Sequence, residues 1–503
     1  MSQHDVIARG RAATPGLQPS IPPQHPLAAL SLGAMLEVVP VWMVDEAVTA
    51  CGRLQERVRA LPSRATVYFT LVLWLRPGEG YAEVLRTLFA QLRDGTGHMQ
   101  WRVPTSSAAV KARQRLGPAP LRVLFEQLRG AHAALHEPGM SAFGRTLALL
   151  KVSVDGTTLD VADTAANRTA FGDPPRNGKG AGGRYPKIRL VMLVACGTRA
   201  IVDAAWAGFA TGELALLGKL VRRGAIRPGM LVLADRYFSG HPQVAQVVAA
   251  GADLLFRAQN NRNLPVVEEL PDGSYLSILP SANLPSAGDR LRAGSGHCPR
   301  LGIRKRQARG LRIRVIHATV TAAGEDGEPR TESYLLLTTL LDARAAPAAQ
   351  LVALYHERWE SETGYADLKT YLRARQDVLR SKAPAGVAQE LYALLIVYQI
   401  VQIVRARAAR EHPAHAQVDP DRISFTVTLR AMRRTVGMYG PEDGLLELVL
   451  AEIWGQPLIE RRPRSKPREL KGTPAFARAV ERTPPGRMTY VISTREPRLP
   501  TSP

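Results

Sequence analysis

From Leu147 onward the chain exchanges helical periodicity for short β-rich runs interleaved with helix-length segments. That alternation restricts this stretch to an α/β layer around a central mixed sheet. Leu147–Val154 is a nearly continuous apolar run and reads as a buried strand ending on Asp155. Ile188–Cys196 and Ala200–Ala207 read as a hairpin-like pair around Gly197-Thr198. Glu213–Arg223 has a helical pattern, and Met230–Ala234 is a strand ending on Asp235. His241–Ala250 then reads as a helix and Asp253–Ala258 as a further strand.

The flanks have a different texture. From Pro26 to about Glu137 the pattern is helical, with segments around Val44–Leu61, Ser63–Leu75 and Tyr81–Leu92. Pro104-Thr105-Ser106 offers a cap to a helix over Ala108–Leu116, which carries Lys111, Arg113 and Arg115 beside small alanines. Short helices ending on a basic one fit a helix-turn-helix reader of DNA, and equally a plain bundle with a basic surface. Residues 259–335, rich in Asn, Pro, Gly and Ser, break the α/β alternation. They hold strand-like pieces at Ser274–Leu279, Arg312–Val320 and Glu332–Thr338, and a basic cluster of Arg304, Lys305, Arg306 and Arg309. After Thr339 helices return at Ala348–Arg375, Val387–Ala409, Phe425–Thr435 and Gly444–Ile453.

The expected division is a disordered arm (1–26) with five prolines, a helical DNA-binding domain (27–137) and the first part of an α/β core (138–258). A β insertion (259–338), the second part of the core (339–412), a helical C-terminal region (413–455) and a basic Pro-rich tail (456–503) follow.

Over 503 residues, 66 Lys and Arg against 44 Asp and Glu leave a formal charge of +22, which points to a polyanionic partner, most simply nucleic acid. Three widely separated cysteines (Cys51, Cys196, Cys298) exclude the usual zinc spacings and a disulfide framework and fit a reducing cytoplasm. No signal peptide is read at the N-terminus, and the run Leu391–Val404 is interrupted by Gln399 and Gln402, so no membrane partner is expected.

Tyr355, Arg358, Glu362 and Lys369 would fall within an arc of about 60° on a regular helix. Leu354, Tyr365, Leu368 and Leu372 form an apolar stripe, and Glu357, Glu360 and Asp367 are expected on the side opposite the four. One carboxylate, two cations and a phenol on one face suit a metal-bound phosphodiester. Asp235 follows Asp155 by 80 residues and Glu362 follows by a further 127, and aspartates ending neighbouring strands with a downstream carboxylate form a hard-cation ligand set.

Asp155-Gly156-Thr157-Thr158, Leu233-Ala234-Asp235-Arg236 and Tyr355-x2-Arg358-x3-Glu362-x6-Lys369 resemble the three motifs of the DDE transposases. The third resembles the signature of the insertion sequence four family of bacterial elements, and the likeness in layout covers most of residues 30–470. The resemblance implies a ribonuclease-H-like core with a β insertion and helical flanks. It implies that Asp155, Asp235 and Glu362 hold two divalent ions per site, magnesium or manganese, and that Tyr355, Arg358 and Lys369 position phosphates at the element end. Trp359 would stack on an exposed base, as the equivalent residue does in some relatives, or pack as a buried aromatic. Lys111, Arg113 and Arg115 of the basic N-terminal helix are the candidate DNA contacts there, and the resemblance implies the terminal inverted repeats and target DNA as partners. A homodimer on DNA, in the bacterial cytoplasm at the nucleoid, is implied as well.

Some relatives use a tryptophan in the β insertion to hold a flipped base; none lies between Trp206 and Trp359 here, leaving Tyr275 and Tyr334 as aromatic substitutes. A metal nuclease of the same fold and a non-catalytic DNA-binding descendant are the competing classes. The glycines 178, 180 and 183 match a dinucleotide fingerprint in spacing only, since no strand precedes them and no helix follows.

Overall fold

The computed structural model describes residues 32–55, 61–89, 103–137, 139, 142–172, 185–260, 262, 264–281, 310–323, 329–373, 378–414, 418–438, 442–459 and 489–492. The 1–26 arm, the glycines 178–183 and the Arg304–Arg309 cluster lie outside them.

Among the described residues the strands are β1 (Leu150–Val161), β2 (Lys187–Ala195), β3 (Ile201–Gly208), β4 (Met230–Ala234), β5 (Asp253–Ala258), β6 (Glu268–Glu269), β7 (Tyr275–Leu279), β8 (Leu311–Ala323), β9 (Pro329–Thr338), β10 (Val378–Leu379) and β11 (Thr489–Ile492). All join one sheet in the order β3-β2-β1-β4-β5-β9-β8-β7-β6, with β10 also on β1 and β11 on β8. β1, β2 and β3 are antiparallel neighbours, whereas β4 and β5 run parallel to β1. This is the ribonuclease-H-like arrangement, a mixed α/β core with helical flanks. Val152 and Val154 pack with Leu216, Leu217 and Val244 of the helices Glu213–Arg222 and His241–Ala249. The alternate residues of β1 face the other way.

β1 does not end at Asp155. Its antiparallel pairing with β2 continues from Asp155 opposite Met192 to Asp160 opposite Lys187, and this keeps the strand extended. On its other edge the pairing with β4 stops at Ser153 opposite Leu233, and β10 takes over only at Asp160. Asp155 therefore sits in mid-strand, where two parallel strands part. Of the insertion strands, β8 and β9 are longer than expected, and the set extends the core sheet, β9 lying antiparallel to β5 with Leu255 opposite Thr338. β11 falls in the segment expected to be a tail and pairs antiparallel with β8.

The first long helix, Val41–Ala50, stops well short of Leu61, because Gly52 takes a φ of +60° and its N–H closes a turn on Thr49 O at 2.9 Å. Ser63–Leu75 is buried on every side, consistent with its all-round apolar sequence, and Trp74 Nε1 donates to Glu390 O at 2.8 Å. Thr105 caps Ser106–Leu116, its hydroxyl accepting the Ala108 N–H at 3.2 Å. These helices share one apolar core with Leu159, Val161 and Leu190 of the sheet and with the helices Pro384–Arg410, Phe425–Thr435 and Glu442–Trp454.

Pro384–Arg410 is the one described helix long and apolar enough to cross a membrane, and it is buried at the centre of that core. Two of its glutamines accept hydrogen bonds there: Gln399 from Ile201 N–H at 2.8 Å, and Gln402 from Arg405 at 2.5 Å.

Arg113 is not available to DNA. It is buried, donating to Tyr81 Oη, to Ser381 Oγ at 3.2 Å and to Gly386 O at 3.1 Å, with Glu390 at 3.8 Å. Its position in the last turn of the helix turns it toward the N-terminus of Pro384–Arg410, so it joins the two helices. Lys111 is exposed and Arg115 half-buried. Arg113→Ala removes the paired cation from the buried Glu390, whose remaining partners are the Arg380 N–H and Ser381 Oγ, and is expected to cost about 3 kcal/mol in urea unfolding. A loss under about 1 kcal/mol would contradict this structural role.

Candidate active site

Lys151, Ser153 and Asp155 alternate along β1 and share one face. Each is tied to the helical segment that carries Glu362. Lys151, fully buried, pairs with Glu357. Ser153 Oγ donates to Arg358 O at 3.0 Å and lies 3.1 Å from Ser361 Oγ. Tyr365 Oη donates to Asp155 O at 2.7 Å while accepting the Met192 N–H at 2.9 Å. The phenol is thereby inserted between β1 and β2 at the Asp155–Met192 pair.

The segment expected as one α-helix is a composite. Ala348–Tyr355 is α, His356–Arg358 a 3₁₀ turn, Trp359–Ala366 α again and Asp367–Leu372 a π turn. A constant 100° per residue does not apply across such changes of pitch, so the single stripe of four is redistributed. Tyr355 is buried, its hydroxyl donating to Ala234 O at 3.2 Å, and burial pushes its pKa up. Arg358 is 8% exposed, whereas Glu362 and Lys369 are half-buried. Leu354, Tyr365, Leu368 and Leu372 are buried as expected.

The acids expected on the far side are not a solvated face. Glu360 is buried and accepts from Arg199 Nε at 2.6 Å; Asp367 lies 3.6 Å from Arg199 Nη1, and Asp421 pairs with Nη2. Arg199, at φ +58° in the β2–β3 turn, thus anchors the segment from behind. With Lys151 on Glu357, every one of these acids has a cation, which is what permits their burial.

Continuing the β1–β4 register two residues beyond Ser153–Leu233 brings Asp155 level with Asp235. Asp155 Oδ1 accepts the Gly156 N–H at 2.8 Å, and Asp235 Oδ1 accepts the Tyr237 N–H at 2.9 Å. Glu362 Oε1 accepts from Arg358 Nη2 at 2.8 Å. The Asp155 carboxyl is pushed up to about 6, first by burial; the Gly156 N–H and Arg358 oppose the rise, and Asp235 and Glu362 add to it. Asp155 therefore lies in the fields of both Asp235 and Glu362.

Burial works against the Arg358 charge, but Tyr355, Glu362 and Asp155 around it raise its pKa. Burial lowers Lys369, assisted by Arg373, while Asp155 acts against the shift.

A fourth carboxylate, Glu213, escaped the sequence reading. It lies 3.5 Å from Arg189 and is raised by burial and by Asp235. A Cβ on Gly156 would stand 2.4 Å from Glu213 Cδ, so glycine after Asp155 makes room for this side chain. Tyr365 was read only as an apolar position. The cue for it and for Ser153 was present, since Lys151, Ser153 and Asp155 put polar groups on every second residue of an otherwise apolar strand.

Trp359 is half-buried, with the Arg358 guanidinium 5.6 Å from its ring centroid. Of the insertion tyrosines, Tyr275 is buried and stacked on His317, and Tyr334 is half-buried with Arg257 4.3 Å from its ring centroid.

Three carboxylates with oxygen donors only are the chemistry a hard divalent cation requires, and their mutual repulsion is charge such a cation neutralises. Among the described residues no three acid, imidazole or thiol groups converge closely enough to hold a metal as they stand. Glu362 is engaged by Arg358, while Asp155 and Asp235 each hold a backbone N–H.

A mixed sheet with acids where β1 and β4 part and a third acid on the covering helix places the chain in the ribonuclease-H-like fold class. Residues 149–400 match the family described as the transposase DDE domain, and residues 29–126 match the insertion element 4 transposase N-terminal family. The transposase InsG of insertion sequence element IS4 from Escherichia coli K12 is 24% identical over 438 residues, 86% of this chain and 90% of that one. The InsZ chain of the same bacterium is 27% identical over 221 residues, 42% of this chain and 67% of that one. The chain belongs to the IS4 family of DDE transposases.

In metal-free protein the folded state keeps the Asp155 proton to about pH 6, whereas the unfolded chain releases it near the ordinary value of 3.8. The stability contributed by the neutral acid is present below pH 3.8 and lost as pH rises through about 6. With chelator present, Asp155→Asn should exceed wild type by about 2–3 kcal/mol at about pH 8 and match it below about pH 4, by urea unfolding. A wild type that is the more stable protein at the higher pH would refute the crowding.

Proposed function

We propose that this transposase binds the terminal inverted repeats of its own element, hydrolyses the ends and joins the freed 3′-hydroxyls to target DNA. The observation that carries the reading is the coupling of Asp155, Asp235 and Glu362 at the parted edge of β1, with Arg358 among them and Lys369 in the field of Asp155. Asp155, Asp235 and Glu362 would hold two magnesium or manganese ions. Bound there, such ions supply Lewis-acid activation of the attacking oxygen and charge stabilisation at the leaving oxygen.

The chain's own groups do the rest. Arg358, kept charged by its surroundings, and Lys369 bind phosphate oxygens and hold the scissile bond in line. Tyr355 acts one step back: its hydroxyl holds the carbonyl of Ala234 and so fixes the backbone that presents Asp235. Tyr365 does the same for the carbonyl of Asp155. Water, and then the freed 3′-hydroxyl, would attack the phosphodiester directly, without a covalent protein–DNA intermediate.

Residues 27–137 would recognise the element end, with Lys111 and Arg115 as basic contacts. Residues 138–258 and 339–412 form the core around the insertion 259–338, with 413–455 completing it. Joining two ends needs two active sites, hence a homodimer on DNA at the nucleoid of the bacterial cytoplasm.

Single replacement of Asp155, Asp235 or Glu362 by Ala is expected to abolish end cleavage while end binding in gel shift stays within about threefold of wild type. Normal cutting by any one variant removes that residue from the site. With pre-cut ends, Mg²⁺ and a supercoiled target, wild type should form joined products. Cutting without joining would favour a plain metal nuclease.

A further inference from the structure

β1 leaves β4 after Ser153 and meets β10 only at Asp160, so among the described strands its edge beside Asp155 has no parallel neighbour. The segment carrying Glu362 covers this open edge from one face of the sheet. On the other face the helix Glu213–Arg222 packs with Val152 and Val154 through Leu216 and Leu217. Its first residue, Glu213, lies over β1 one position beyond Asp155.

That approach is close enough to dictate a residue of the strand. A Cβ on Gly156 would stand 2.4 Å from Glu213 Cδ and 2.7 Å from Oε1. Gly156 pairs with Val191 in extended β1, so space and not a left-handed backbone is what calls for glycine. The carboxylate is restrained from the side as well. Arg189 Nη1 of β2 lies 3.5 Å from Oε1, and the Arg189 guanidinium rests 5.0 Å from the Phe209 ring centroid. An ion pair with Arg189 alone needs no such approach to β1. The approach instead brings a further acid within the electrostatic reach of Asp235.

A carboxylate arriving from the far face of the sheet meets a cation between Asp155 and Asp235 through the ion's own water. Magnesium keeps several waters in sites of this kind, and acceptors that hold such outer groups tune metal affinity. We propose that Glu213 is a positioning residue for that cation, accepting a hydrogen bond from one of its waters through the open edge of β1. This inference rests on the reading that Asp155 and Asp235 hold the ion.

The test uses the full-length protein on pre-cut element ends without target DNA, and reads Mn²⁺ binding by electron paramagnetic resonance against the DNA alone. Glu213→Gln keeps the size of the side chain and removes its charge, and should weaken Mn²⁺ binding about ten- to a hundredfold. In cleavage of uncut ends the apparent KM for Mn²⁺ should rise by the same factor, with kcat falling less than about threefold. Gly156→Ala, which displaces the carboxylate, should weaken Mn²⁺ binding similarly, and should add nothing in a Glu213→Ala background. Should Gly156→Ala lower the urea midpoint, Glu213→Gln carries the test by itself. Mn²⁺ affinity of Glu213→Gln within about twofold of wild type overturns the inference, as does a fall in kcat with the KM for Mn²⁺ unmoved. Asp155→Ala should lose the ion altogether. If Asp155→Ala binds Mn²⁺ as wild type does, the underlying reading of the site fails; loss there with retention in Glu213→Gln removes the role of Glu213 alone.

Discussion

The site depends on one polar face of one strand. Lys151, Ser153 and Asp155 each engage the composite helical segment, through Glu357, through Arg358 O and Ser361, and through Tyr365. An apolar face would let that segment slide or rotate at small cost, because hydrophobic packing has no direction. Buried hydrogen bonds and a buried ion pair do have direction, and leaving any of them unmade costs on the order of 1–3 kcal/mol or more. These ties fix the azimuth of Glu362 relative to Asp155 even though the segment passes through three helical pitches on the way.

The same logic explains the back of the segment. Glu360 and Asp367 flank Glu362 in sequence but turn away to Arg199, which also holds Asp421 from the C-terminal helical region. The π turn over Asp367–Leu372 then alters the phase at Lys369, whose charge acts with Asp155. Sheet, hairpin turn and C-terminal region thus converge on one helix from three directions.

Much of this was legible before any coordinates. The apolar runs marked β1 to β5, and the strand after Gly229 delivered Asp235 to its end as expected. Asp155, Asp235, Glu362, Arg358 and Lys369 were singled out by type, by position at strand ends and along one helical segment, and by likeness to the transposase motifs. What failed was everything set by partners distant in sequence. Periodicity put Glu357, Glu360 and Asp367 on an outer face because acids there are usually solvated, yet the cations that bury them lie on β1 and in the β2–β3 turn. Arg113 looked like a DNA contact because Glu390, its partner, is 277 residues away. The end of β1 was misjudged because Asp155 interrupts an apolar run, although pairing with β2 carries the strand on to Val161.

The ties between β1 and the helical segment also set a clock. Lys151 and Glu357 are separated by 206 residues. At about 5–20 residues per second, a ribosome takes roughly 10–40 s to supply the partner after the lysine has emerged. Throughout that interval the polar side of β1 has only water or transient contacts to satisfy it, while the N-terminal helices are already complete in sequence. The nascent chain therefore carries its N-terminal helices before it carries either the segment that orients Glu362 or the helix Pro384–Arg410 on which they pack.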